Sequence, residues 1–166
     1  MIRDGNISDL PRIVDIYNQA IRSGEATGDI DEFEAKERVS WFEQFNEVYP
    51  LYVVEVESDI VGYGTLAPYR QGRRAMSSIA EISFFLDNKF QGLGIGSYLI
   101  EYMIEDCRRI GKKTLLAILL DINQKSIALL KKFGFEQWGY FPDIIELMDK
   151  KCGQLIFGLK MKDTKK

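Results

Sequence analysis

The sequence predicts an α/β protein built on a mixed central sheet of about seven strands, with helices on both faces, in the order β-α-α-β-β-β-α-β-α-β-β. Three observations predict it. The apolar period changes repeatedly between helical spacing and the strand spacing of two. A strand, a glycine-rich turn, a helix and another strand follow one another over residues 79–120, and such a unit needs parallel neighbours. Paired strand patterns flank that unit on both sides, where hairpins fit.

The elements follow in order. Met1–Arg3 reads as a short strand, and Ser8 as the cap of a helix reaching about Arg22, with Leu10, Ile13, Ile16, Tyr17, Ala20 and Ile21 at helical spacing. "SGEATGDID" is a polar loop, and "FEAKERVSWFEQF" a second helix with Phe33, Val39, Phe42 and Phe45 facing inward. Residues 51–69 read as two strands joined at Glu57-Ser58-Asp59. "RQGRRAMSS" is a loop and "IAEISFFLD" a strand; a helix then runs from about Gly94 to Ile110, closed by Gly111. "TLLAILL" is a buried strand, "NQKSIALLKKF" a short helix stopped by Gly134, and two strands near 135–141 and 153–161 finish the chain.

With 166 residues, 46% of them hydrophobic, the chain is expected to form one domain over 1–166 with a substantial core. A net charge of −3 with mixed signs gives no reason to expect nucleic-acid binding; Lys160–Lys166 is the one basic stretch and reads as a solvated tail. Cys107 and Cys152 are far apart and there is no histidine, which argues against zinc and against Ser-His-Asp or Cys-His catalysis. No apolar run reaches membrane-spanning length and "MIRDGNISDL" is no signal peptide, so a cytoplasmic protein with reduced thiols and no membrane contact is expected.

"FQGLGIGSYL" places Gly92, Gly94 and Gly96 between a strand and a helix start. The first amides of a helix have no internal partner, and aligned peptide dipoles leave partial positive charge there. Glycines permit positive φ and remove the Cβ that would hold a phosphate away. The pattern therefore points to pyrophosphate, with a simple reversal of chain direction as the alternative. A Walker A loop is ruled out because no Gly-Lys-Ser/Thr follows. A dinucleotide fingerprint fails because Ser97 stands where its third glycine belongs.

"QGLGIG", residues 91–96, resembles the Q/R-x-x-G-x-G/A motif of the GNAT acyltransferases, and "NQKSIALLKKFGF", residues 123–135, resembles their N-x-x-S-x-x-L-x-x-x-x-G-F stretch. A narrower resemblance covers nearly the whole chain: "IRDGNISDLPRIVDIYNQAI", "VVEVESDIVGYGTLAPYR" and "AEISFFLDNKFQGLGIG" are similar to the phosphinothricin acetyltransferase-like branch. The resemblance implies a GNAT fold and acetyl-CoA as cofactor, with no metal. It also implies transfer of the acetyl group to the primary amine of a small amino-acid-like acceptor, of the phosphinothricin or methionine sulfone/sulfoximine type. A homodimer is expected, with Trp138, Tyr140 and Phe141 as candidate contact residues.

Acyl transfer from a thioester needs a neutral amine, and a lysine-like amine is only about 1 in 2,500 neutral at pH 7. Glu81, a carboxylate inside an apolar strand, is the candidate base; it shares a face with Ile79, Ser83 and Phe85, which reads as buried. The resemblance also implies that Gln91, Gly92, Leu93, Gly94, Ile95 and Gly96 hold the pyrophosphate, with Ser97 adding a contact. Phe85 and Leu86 would offer backbone groups to pantetheine, and Asn123 would bond near the same arm while capping its helix. For the acceptor, Thr27 matches the branch in part, with Gly28 where an aromatic residue is usual. Arg70, Arg73 and Arg74 are candidate partners for a carboxylate or phosphinate. Leu130 stands four residues after Ser126, where many of these enzymes carry a tyrosine as general acid. The alternatives are a protein or peptide N-acetyltransferase, and a CoA-binding module without catalysis.

Overall fold

The structure, a computed structural model, describes residues 1–162. Of the basic stretch Lys160–Lys166, residues 163–166 lie outside the described residues. Strands β1 (Ile2–Asp4), β2 (Leu51–Val56), β3 (Asp59–Pro68), β4 (Ile79–Leu86), β5 (Thr114–Leu120), β6 (Glu136–Glu146) and β7 (Lys151–Lys160) form one sheet. Their spatial order is β1-β2-β3-β4-β5-β7-β6. Four helices, α1 (Leu10–Ser23), α2 (Val39–Phe42), α3 (Ile95–Arg109) and α4 (Gln124–Lys132), complete the element order read from the sequence. The β4–β5 pair is parallel and its neighbours in the sheet pair antiparallel, which is the mixed sheet expected.

Each sheet face has its own core. On one side Ile13 and Ile16 of α1 pack against Leu51, Val53 and Tyr63, with Trp41, Phe42 and Phe45 at the margin. On the other, Leu99 and Met103 of α3 and Ile127 and Leu130 of α4 pack against Tyr52, Leu66, Ala80 and Ile82. Burying each such side chain contributes about 1.5–3 kcal/mol. The helix α3 seats close because Gly64 lies beneath it: a Cβ there would come within 2.5 Å of the Met103 sulfur.

Three elements depart from expectation. Ser8 does not cap α1. Asn6 caps a 3-10 turn (Ile7–Asp9) leading into the helix, its Oδ1 accepting from the Ser8 amide at 3.1 Å while Asp9 accepts from the Asn6 amide at 2.7 Å. The helix expected over 33–45 is a 3-10 turn, Ala35–Arg38, followed by the single turn α2. The interruption falls at Arg38, whose backbone (φ −106°, ψ 3°) leaves helical geometry. Strand β6 continues past Pro142 to Glu146, because β6 is the edge of the sheet and its register shifts between Phe141 and Ile145.

Candidate active site

The site grows from a split in the sheet. Pairing between β4 and β5 runs only from Ile79–Thr114 to Glu81–Leu116, although β4 continues to Leu86 and β5 to Leu120. Beyond Glu81 the strands part, and a cavity of about 550 Å³ opens between Ile82–Leu86 and Ala117–Leu119. The Asp87 amide donates to Val61 O of β3 at 2.9 Å. By strand alternation, the N–H and C=O groups of Leu86, Phe84 and Ile82 therefore face the opposite edge, where β5 has departed. The gap is thus lined with peptide groups that have lost their ladder partners. Leu86 turns its peptide groups toward the cleft, whereas those of Phe85, expected to do the same, face β3. Phe85 contributes its ring instead, stacked on Tyr63 and edge-on to Tyr17.

At the far end of the cleft stands the glycine turn. Gly92 and Gly94 have φ of +76° and +84°, and a Cβ on either would meet no heavy atom within 4 Å. Gly94 is the N-cap of α3 and its carbonyl accepts from the Tyr98 amide, leaving the amides of Gly94, Ile95, Gly96 and Ser97 without a helical acceptor. Gly96 serves packing: a Cβ there would lie 3.0 Å from Leu129 and 3.4 Å from Leu86. Gln91, Gly92, Gly94, Gly96 and Ser97 all line the cavity. The Leu93 side chain is exposed and that of Ile95 packs on the core, so these two can contribute only amides. Lys125 reaches Gln91 Oε1 at 3.2 Å and Lys132 reaches Ser97 Oγ at 3.0 Å, bringing two cations to the rim. Asn123 lines the cavity and caps α4 through the Ser126 amide at 3.2 Å. Leu130 is buried in the same wall. A turn with positive φ, open space at its glycines and unpaired amides beside a long cleft fits a diphosphate carried on an extended arm.

Glu81 sits at the apex of the split. Its face of β4 is the less buried one, contrary to expectation, since Ala80 and Ile82 on the other face are packed under α3 and α4. The residue is half-buried, and burial pushes its carboxyl pKa up. Among the described residues no hydrogen bond or salt bridge engages it, and desolvation is the sole cause of the shift.

A second cavity, about 270 Å³, lies on the face of β4 that carries Ser83 and Phe85; Glu81, two residues before Ser83 on that face, lines neither this cavity nor the cleft. Ala26, Ser83, Phe85, Ile118 and Leu119 line both cavities, so the two adjoin. Thr27 belongs to this second cavity, its Oγ1 lying 2.7 Å from the Tyr17 hydroxyl. Tyr17 also bonds Asp29, and burial followed by that carboxylate pushes its pKa up to about 12. Arg70, Arg73 and Arg74 line a third cavity of about 510 Å³, which shares Trp41 with the second and nothing with the cofactor-sized cleft. The structure thus groups Glu81's face with Thr27 and the glycine turn with Asn123, and sets the three arginines apart.

Sequence reasoning missed Arg38 and Asp87. Arg38 lines the second cavity, its guanidinium over three aromatic rings. Asp87 joins β4 to the glycine turn. It accepts from Arg12 at 2.6 Å, Gln19 at 3.1 Å and the Lys89 amide at 2.8 Å. A buried-strand pattern ending in an acid immediately before the glycines was the available signal for Asp87.

Comparison with known proteins agrees with this geometry. The Acetyltransferase (GNAT) family model matches residues 10–135. The "Putative phosphinothricin acetyltransferase YwnH" of Bacillus subtilis is 34% identical over 153 residues, 92% of this chain and 94% of its own. The L-methionine sulfoximine/L-methionine sulfone acetyltransferase of Pseudomonas paraeruginosa is 28% identical over 86% of this chain and 84% of its own. A crystal structure of a "putative phosphinothricin N-acetyltransferase" superposes with a TM-score of 0.94 at 32% identity, covering 98% of this chain and 99% of that one. A match spanning the split sheet, the glycine turn and the asparagine-capped helix leaves one conclusion: the chain belongs to the acetyltransferase (GNAT) family.

Proposed function

We propose that this protein, as one domain over residues 1–166, transfers the acetyl group of acetyl-CoA to the primary amine of a small amino-acid-like acceptor, of the phosphinothricin or methionine sulfone/sulfoximine type. The observation that carries the reading is the split at Glu81–Leu116, which joins a cleft ending in the glycine turn to a pocket on the Glu81 face. The names of the relatives support the acceptor class.

When bound, the cofactor supplies an activated acetyl thioester. Amides around residues 92–97 receive the diphosphate, helped by the dipole of α3 and the nearby lysines. Unpaired peptide groups of β4 would hold the pantetheine arm, with Asn123 beside it, and so position the thioester for attack. Glu81, made more basic by burial, takes the proton from the incoming ammonium. Thr27 lines the acceptor pocket, and Arg70, Arg73 and Arg74 attract an anionic acceptor from outside it. Leu130 of the α4 wall has no proton to give a departing thiolate; thiols are acidic enough, near 8.5 for cysteine, that the thiolate would leave without one.

The test is thiol release from acetyl-CoA with a panel of amino acids, methionine sulfone, polyamines and peptides. Turnover with the amino-acid-like members and not with peptides is expected; turnover with peptides alone overturns the acceptor class. Leu130 favours a second reading, a CoA-binding module, which predicts CoA binding with no turnover across the panel.

A cytoplasmic location is part of this reading, an environment that keeps thiols such as the unpaired, buried Cys107 and Cys152 reduced; no helix among the described residues is long and apolar enough to cross a membrane. A second copy is assigned to the edge strand β6, where Trp138, Tyr140, Phe141 and Ile144 are exposed. Sedimentation of the wild type against a Trp138→Glu, Phe141→Glu variant tests the dimer, which the variant is expected to lose.

A further inference from the structure

Arg38 is the cation of the second cavity. Its guanidinium carbon lies 4.2 Å from the Trp41 ring centroid, 4.9 Å from that of Phe33 and 5.5 Å from that of Tyr17. Aromatic faces hold a guanidinium by attraction to the ring quadrupole, yet they satisfy none of its five N–H donors. Among the described residues Arg3, Arg12, Arg22 and Arg109 each hold a carboxylate, and Arg38 holds none. A half-buried arginine, fixed in orientation by rings and lacking an anion, is a preorganised anion receptor.

We infer that Arg38 binds the carboxylate of the acceptor, so that the pocket selects free amino acids over their neutral derivatives. This rests on the acetyltransferase reading and names its acceptor-anchoring residue. The position is suited to the task. Arg38 stands over Tyr17, and Tyr17 meets Phe85, one of the residues shared with the cofactor cleft. Ser83 and Thr65, opposite one another on β4 and β3, line the pocket between this group and the Glu81 end of the strand. An amino acid held by its carboxylate at Arg38 therefore has its amine on the side of the pocket that opens to the cleft. Arg70, Arg73 and Arg74 are less suited, since their cavity shares no lining residue with the cleft. The backbone leaves helical geometry at Arg38, just before α2, where the guanidinium lies against the Trp41 ring.

The test compares L-methionine sulfone with its carboxamide as acceptors for the wild type, Arg38→Gln and Arg38→Lys. Loss of the anchor is expected to lower kcat/KM for the free acid about 100-fold in the glutamine variant, mainly through KM, and by less in the lysine variant. The carboxamide should change by less than about threefold, a split that stacking alone does not produce. Equal losses for both acceptors, or no loss for the acid, would overturn the assignment. Should no acceptor release thiol even with the wild type, the acetyltransferase reading fails by itself. Calorimetric titration with L-methionine sulfone then decides the role of Arg38: saturable binding that Arg38→Gln abolishes supports it, and no binding to the wild type overturns it.

Discussion

Arg12 of α1 donates to Asp87 at the end of β4, Nη2 to Oδ2 at 2.6 Å, and so fastens the first helix to the strand that leads into the glycine turn. Asp87 is 5% exposed. Burial opposes its charge, but the bonds from Arg12, Gln19 and the Lys89 amide outweigh burial and hold its pKa down to about 2. A carboxyl depressed in the folded state stabilises the protein above its unfolded pKa, and that contribution is lost as pH falls through the folded value. Asp87→Asn is therefore expected to lose about 2 kcal/mol at pH 7 in urea unfolding. The difference from wild type should vanish between about pH 4 and pH 2; a difference unchanged over that window would exclude the linkage.

Glu81 has the opposite shift, upward through burial. A base works ionised, so kcat/KM should fall as pH drops through a pKa above the ordinary carboxylate range near 4.3. Glu81→Gln is expected to lower turnover by about 100-fold or more and to remove that acid limb, with CoA affinity unchanged. The raised pKa also means that ionised Glu81 weighs against folding at neutral pH, so the variant should unfold at a slightly higher temperature. Retained turnover in Glu81→Gln would dismiss the carboxylate from the chemistry.

Legibility followed the reach of each interaction. The turn at 92–94 and the close of α3 at Gly111 depend on neighbours within a few residues, and glycine announces them. Ion pairing between Arg12 and Asp87 spans 75 positions, and nothing local marks it. Glu81 was readable as an acid in an apolar strand, but its face was not. Ile79 and Phe85 suggested burial there, whereas Ala80 and Ile82 take the buried side because α3 and α4 lie over them. Residues 33–45 kept helical spacing in sequence, and the aromatic partners that capture Arg38 come from α1 and α2 as well as from Phe33, ahead of its own turn.

The β2–β3 hairpin carries removable strain. Val56 pairs with Asp59 across a two-residue turn in which Glu57 and Ser58 have φ of 50° and 71°. Side chains with a Cβ resist that region, and Asn-Gly suits it. Glu57→Asn with Ser58→Gly should raise stability by about 1 kcal/mol and leave activity unchanged, read as a higher melting temperature and an unaltered rate of thiol release. A lower melting temperature would show that the gain in turn geometry is outweighed by the freedom glycine adds to the unfolded chain.

Gly94 and Gly111 allow the cradle to be separated from backbone strain. Both have positive φ, 84° and 71°, and a Cβ on either meets no heavy atom within 4 Å. Alanine at each position is therefore expected to cost a similar amount, about 1 kcal/mol, in chemical unfolding. Gly94 borders the cleft and Gly111 follows the far end of α3. Only Gly94→Ala should therefore weaken CoA binding, by about tenfold or more in calorimetric titration, because its Cβ stands where the diphosphate approaches the amides. If Gly111→Ala weakened CoA equally, the effect would belong to the stability of α3, and the turn would lose its assignment as the phosphate cradle.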